Sequence, residues 1–264
     1  MHRYLRRILA VAAVATAVIF TANLGLAYAA PSSVPSGTSA QLYRETVILD
    51  DRDTGTTPEA MKHVTELQLR LIRAGQNPGP VDGDDGPRTT TALRSWQQLN
   101  GLPASGIADQ VVWSKLIAST TTNLSEAVKR CGGHATGVYT CVDKTNHQAV
   151  VFRGGVLWNA YLVRTGGQVC QEQYLNGGQP YNCETDAVTS KPVFFRSIDH
   201  HSTILRQAYM PFAQFYNGGE ALHASPLMIN PYVGNSHGCV NMYFDDAIAL
   251  WNLTEGTKHY VSVY

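Results

Sequence analysis

The apolar pattern of this 264-residue chain changes period part-way along, and that change constrains the fold more than any other feature. Between residues 57 and 118 apolar side chains recur at helical spacing, and from Gly137 onward they alternate. The pattern predicts an α + β chain of two domains, a small three-helix bundle followed by a mainly β, sandwich-like domain. In the first part Thr57-Pro58 reads as a helix start, Ala60, Val64, Leu67 and Leu71 form one stripe, and Gly75 stops it. A turn-rich "NPGPVDGDDG" leads to a second helix from Pro87 carrying Ala92, Leu93, Trp96 and Leu99. A third starts near Asp109 and carries Val112, Trp113, Leu116 and Ile117. Trp96 and Trp113 read as core residues.

Residues 119–130 read as a connector, and a second domain spans 131–264. There "GVYTCVD" and "QAVVFR" alternate, and Gly154-Gly155 is a hairpin turn into "VLWNAYLV". "PVFFRS", "MPFAQFY" and "EALHA" read as further strands, and "KHYVSVY" as a closing one. Asp245 or Asp246 is the expected cap of a helix through "AIALWNL".

The N-terminus carries a basic "MHRYLRR", an apolar "ILAVAAVATAVIFTANLGL" and a small-residue "AYA" at 27–29. This is the layout of an export signal over residues 1–30, cut after Ala29 or Ala30, followed by a linker over 31–57. The alternative is an uncleaved anchor, since the run approaches bilayer-spanning length, and only then is the membrane a partner. The expected location is the cell wall, the periplasm or the medium. The first 30 residues hold three of the 20 basic residues and no acid, leaving 17 basic against 20 acidic, a net of −3. That balance argues against nucleic acid as a partner.

Export places five cysteines in an oxidising compartment. Cys131 with Cys141 and Cys170 with Cys183 are local couples, each bridge contributing about 2–3 kcal/mol. The odd thiol is then Cys239, in "YVGNSHGCVNM". His237, His223 and Cys239 could hold zinc, but no further ligand cluster accompanies them, so no metal is expected. The acidic turn is no calcium loop either: counting from Asp82, positions 6 and 12 hold Pro87 and Leu93 instead of Gly and Glu. No cofactor is called for, and no G-x-S-x-G elbow is present. A nucleophilic thiol needs an imidazole base, and on spacing alone either His223 or His237 could serve. His134, His147, His200, His201 and His259 read as solvated or structural.

Two resemblances sharpen this. L-x-L-R-L-x-x-A-G, P-V-D-G-x-x-G-P-x-T, W-Q-x-x-N-G-L-P and W-x-x-L, within residues 58–118, resemble the three-helix peptidoglycan-binding module. "LHASPLMINPYVGNSHGCVNM" resembles the signature of the YkuD-type L,D-transpeptidase catalytic domain, an upstream histidine followed by [S/T]-H-G-C-x-[N/R]. "MPFAQFYNGGEALH" and "VRTGG" resemble neighbouring strands of that family. The likeness implies Cys239 as nucleophile, His223 as its base oriented by the Ala224 carbonyl, and His237 as a shaping residue. It implies Gly238 and Cys239 amides as the oxyanion hole. Ser236, Tyr216, Asn217 and Asn241 are candidate stem-peptide contacts, Asn241 alternatively bracing the turn. The implied partners are peptidoglycan, as a tetrapeptide donor and an amine acceptor, and carbapenems as inhibitors. The implied reaction is 3→3 cross-linking through a thioester. The alternatives are an L,D-carboxypeptidase or exchange enzyme at the same site, or an inactive wall-binding protein. Ala224 stands where the family has Gly, and "TSKPVFF" where it has T-P-x-G-x-F, which bears on specificity.

Overall fold

A computed structural model describes residues 58–167, 183–205 and 207–264. The expected signal segment, the 31–57 linker and Cys170 lie outside these residues. Helices α1 (Pro58–Arg73), α2 (Pro87–Leu99), α3 (Gln110–Thr120) and α4 (Leu124–Cys131) precede the strands. The strands are β1 (Val138–Asp143), β2 (Gln148–Arg153), β3 (Val156–Arg164), β4 (Val188–Pro192), β5 (Phe195–His201), β6 (Tyr209–Asn217), β7 (Glu220–Ala224), β8 (Val240–Met242) and β9 (His259–Val263). Helix α5 (Phe244–Leu253) lies between β8 and β9.

The first helices form where the stripe was expected, and local chemistry fixes their ends. Pro87 opens α2, and the Asp109 side chain accepts the Val112 amide at 2.9 Å to cap α3. The acidic turn is held from α1. Gln68 donates to Asp82 Oδ1 at 2.9 Å and accepts from the Gly83 amide at 3.0 Å. Trp96 and Trp113 are buried in a cluster with Val64, Leu67 and Leu71. That cluster also takes in Cys141, Val150, Phe152 and Ala160, so the helices share apolar core with β1, β2 and β3.

The expected connector, residues 119–130, holds most of α4, and the last residue of that helix, Cys131, is disulfide-bonded to Cys141 in β1. Cys183 is disulfide-bonded as well, and Cys239 carries a free thiol.

The sheet is mixed, with strand order β4-β9-β1-β2-β3-β8-β7-β6-β5. Pairs β1/β9 and β7/β8 are parallel and the others antiparallel. Where two packed sheets would make a sandwich, this one is continuous and curls. "PVFFRS" is accordingly not one strand. β4 ends at Pro192, the Val193 amide bonds His259 O at 2.8 Å, and the next amide, Phe194, bonds Phe215 O at 3.0 Å. Neighbouring residues thus reach opposite margins of one sheet, which only a curled sheet permits.

A second correction concerns α5. Its N-cap position is Tyr243, with no side-chain cap, and Asp245 and Asp246 lie in the first turn. Carboxylates there still face the positive end of the helix dipole. Asp245 is also 2.7 Å from His63 of α1, a partner that capping would deny it.

Candidate active site

Parallel strands need a long connection, and β7 to β8 is joined by residues 225–239 with no helix among them. That crossover brings His223 and Cys239, 16 positions apart in sequence (239 − 223), onto one face of the β7/β8 pair. The register pairs Leu222 with Val240, His223 with Asn241 and Ala224 with Met242. Alternation then puts His223 and Asn241 on one face, and Leu222, Ala224, Val240 and Met242 in the core on the other. Cys239, just ahead of β8, packs on the first face against Met210, Ala213, Phe215 and Ala221.

Two glycines make the HGC turn possible. Gly238 has φ +110°, where a side chain is strained. A Cβ on Gly166 would lie 1.8 Å from Cys183 O and 2.7 Å from Gly238 N, so only glycine lets β3's end pass under the turn. Ser236 stitches the turn internally. Its hydroxyl donates to the Cys239 carbonyl and accepts the Gly238 amide at 3.3 Å. The Ser236 amide bonds Thr165 O at 3.0 Å. So of the residues expected to meet a stem peptide, Ser236 spends its hydroxyl within the turn.

His223 is buried, with Nδ1 2.7 Å from the Ala224 carbonyl and Nε2 2.9 Å from Asn241 Nδ2. A carbonyl only accepts, so Nδ1 carries the proton, and the amide nitrogen only donates, so Nε2 is bare. Burial drives the His223 pKa down to about 4; the Ala224 bond opposes this, while His200 and Arg164 add to it. The Cys239 thiol faces Gly219 O at 3.7 Å. Burial pushes its pKa up to about 12, the Ala221 amide opposing and the Glu220 carboxylate adding. In this resting arrangement thiol and imidazole share a face but hold different partners.

The other expected residues surround this pair. His237 is half-buried, and burial lowers its pKa. Tyr216 is buried beside Glu220, and burial first, then that carboxylate, raises its pKa. Asn217 donates to Asp186 Oδ2 at 3.1 Å and Glu220 Oε2 at 3.0 Å. Glu220 Oε1 accepts the Asp186 amide at 2.7 Å, and burial raises the Glu220 pKa. Among the described residues no group of three or more His, Cys, Asp or Glu side chains is arranged to hold a metal ion.

Two residues near the site escape sequence reasoning. Glu220 occurs within "NGGEALH", where nothing marks it as a neighbour of Cys239. Arg164 ends β3 opposite Asn241 and bonds its Oδ1 through Nε at 3.4 Å and Nη2 at 3.2 Å. The strand pairing that joins them has no local signal.

Residues 61–116 match the family described as a putative peptidoglycan binding domain, and residues 137–261 match the L,D-transpeptidase catalytic domain. A curated protein of Kitasatospora aureofaciens, "Uncharacterized protein in bpoA1 3'region", is 32% identical over 109 residues, 40% of this chain and 87% of that protein. The crystal structure of the L,D-transpeptidase (residues 123–326) from Xylanimonas cellulosilytica DSM 15894 is 23% identical. The match covers 76% of this chain and 93% of that one, at a TM-score of 0.47. For the L,D-transpeptidase (Yku) from Stackebrandtia nassauensis the values are 24%, 76%, 90% and 0.44.

Proposed function

The chain belongs to the YkuD-type L,D-transpeptidase family through residues 137–261 and carries a peptidoglycan-binding domain over 61–116; on that premise we propose that it is an exported cysteine acyltransferase of the cell wall. Helices α1–α3 act as the wall-binding bundle, and residues 1–30 direct export. The reading rests on one observation above all. The free thiol of Cys239 shares a strand-pair face with a neutral imidazole whose Nδ1 is anchored on the Ala224 carbonyl.

In the proposed cycle the Cys239 side chain turns from Gly219 O toward His223, and Asn241 yields the Nε2 lone pair. Nε2 takes the thiol proton as sulfur attacks the carbonyl between the third stem residue and its terminal D-Ala. The Cys239 amide stabilises the tetrahedral oxyanion, joined by the Gly238 amide once that N–H leaves Ser236 Oγ, its partner at rest. His223 then returns the proton to the departing D-Ala amine, leaving a thioester on Cys239. A side-chain amine of a second stem attacks that thioester and regenerates the thiol, giving a 3→3 cross-link. Carbapenems acylate the same sulfur.

Purified full-length protein and its Cys239→Ala variant, each given a tetrapeptide muropeptide, test the reading. Wild type is expected to release D-Ala, form a cross-linked dimer and gain the mass of a carbapenem; the variant does none of these. Release of D-Ala without dimer would make it a carboxypeptidase, and activity in the variant would end the thiol mechanism.

A further inference from the structure

The base in this site is held by a side chain from a third strand. Arg164 of β3, Asn241 of β8 and His223 of β7 lie on one line across the sheet, since Arg164 pairs with Asn241 and Asn241 with His223. An asparagine amide can present either its oxygen or its nitrogen to an imidazole, and the two ends have opposite effects. The oxygen draws a proton onto Nε2 and favours imidazolium; the nitrogen requires Nε2 to be bare. Arg164 decides between them. A guanidinium has five N–H donors and no acceptor, so the atom it bonds must be Asn241 Oδ1, which leaves Nδ2 toward His223.

We infer that Arg164 is a positioning residue for the base: by holding Asn241 Oδ1 it turns the amide so that His223 keeps a bare Nε2 on the face of Cys239. This rests on His223 serving as base for that thiol. Arg164 also donates from Nη1 to Val233 O at 3.3 Å, so the same guanidinium ties down the crossover that carries the HGC turn. Among the described residues, His200 from β5 is the other charged or titratable group acting on His223, with Cys239 ahead of β8 on the same face and Glu220 on β7 beside the thiol.

Arg164 also acts on His223 by simple charge, so the test must separate charge from orientation, and a double-mutant cycle does so. Arg164→Met is made in the wild-type and Asn241→Ala backgrounds of the full chain. Two quantities are read: the carbapenem acylation rate, and the protonation midpoint of His223 by 15N NMR of the resting enzyme. Acting through the amide, Arg164→Met slows acylation about 10- to 100-fold in the wild-type background, a part of what a whole general base supplies. With Asn241→Ala already present it has little further effect. Its upward shift of the His223 midpoint is likewise larger when Asn241 is present. Equal effects in both backgrounds overturn the inference and leave Arg164 a bystander charge.

Should Arg164→Met not fold, Arg164→Lys and Arg164→Gln replace it. Lysine is donor-only and is expected to stay near wild type; glutamine can present an acceptor and is not. Identical behaviour of the two overturns the inference as well. The NMR midpoint needs no turnover, so an enzyme that never acylates would sink the function and leave the positioning role to be judged alone.

Discussion

Asn241 Nδ2 lies 2.9 Å from His223 Nε2, and the two residues are direct partners in the parallel β7/β8 pair. The lone pair that would take the thiol proton is therefore occupied at rest. The thiol meanwhile faces the Gly219 carbonyl and a wall of Met210, Ala213, Phe215 and Ala221. Thiol and imidazole are both neutral, and each is held by backbone or side-chain groups around it. In the proposed cycle, activation is a matter of exchanging these partners.

The resting thiol should be sluggish toward a reagent that offers no binding energy. With its pKa pushed up to about 12, Cys239 has far less thiolate at neutral pH than an ordinary cysteine. Three units above the ordinary value of about 9 correspond to roughly a thousandfold less thiolate. Iodoacetamide at pH 7.5 is expected to label native protein far more slowly than protein in denaturant, with Cys239 the residue modified. Labelling at the speed of an exposed thiol would show that the sulfur is already activated.

Two buried histidines make the fold acid-sensitive. His223 is depressed to about 4, and His259, bonded to Thr140 Oγ1 at 2.8 Å and Gln214 Oε1 at 3.0 Å, to about 3, burial leading in both. The unfolded chain protonates such residues near pH 6.5, whereas the folded chain resists until pH 4 or 3. Between those values the unfolded state binds more protons, so stability falls as pH drops from about 6.5 toward 3. His223 alone accounts for at most about 3 kcal/mol over its window. His63 works in the opposite sense. Burial disfavours its charge, but the Asp245 bond with Asp245, Glu66 and Asp246 charges outweighs that and raises its pKa. Its contribution is present below 6.5 and lost as pH rises past its folded value. Urea midpoints at pH 7 and pH 4.5 check the net sign: the lower pH should be the less stable, and His259→Gln should flatten the dependence.

The legible part of this fold is the part governed by local period. The α1 stripe through Val64, Leu67 and Leu71, the Asp109 cap and the Gly154-Gly155 hairpin follow from neighbours in sequence. The site was legible as residue types, because "HGC" with an upstream histidine limits the chemistry to few options. What stayed hidden depends on strand order. Arg164 meets Asn241 only because β8 inserts between β3 and β7, and a three-residue strand such as Val240–Met242 carries too little pattern to reveal that. The split of "PVFFRS" was hidden for a similar reason, since curling of the whole sheet sends Val193 and Phe194 to different margins.

The Cys131–Cys141 bridge fastens α4 to the first strand across a separation of 10 residues. Closing so short a loop contributes on the order of 2–3 kcal/mol by limiting the unfolded chain. Changing both cysteines to serine should lower the thermal midpoint by several degrees, in line with that energy for a domain of this size. Carbapenem acylation at Cys239 should survive below the new midpoint, because neither cysteine touches the site. Loss of acylation in a variant still folded at the assay temperature would mean that α4 helps shape the site.

Arg70 tests how far helices α1–α3 are built into the sheet. It is only 1 % exposed, and its guanidinium bonds Glu66 Oε1 at 2.7 Å, Thr120 Oγ1 at 3.1 Å and the Ala160 carbonyl at 2.9 Å. One side chain thus joins α1, α3 and β3. Arg70→Met takes the Arg70 guanidinium away from the buried Glu66 carboxylate and is expected to cost about 3–5 kcal/mol. Adding Glu66→Gln should recover part of that, since the two groups are coupled. Because Arg70 bonds β3 itself, the loss should appear in a single unfolding transition that takes the catalytic sheet with it. Arg73, one turn further along α1, bonds Asn146 O and the Tyr232 hydroxyl in the crossover, which extends the same link toward the site. A first transition confined to the helices, with carbapenem acylation of Cys239 intact above it, would show that the two parts are merely tethered.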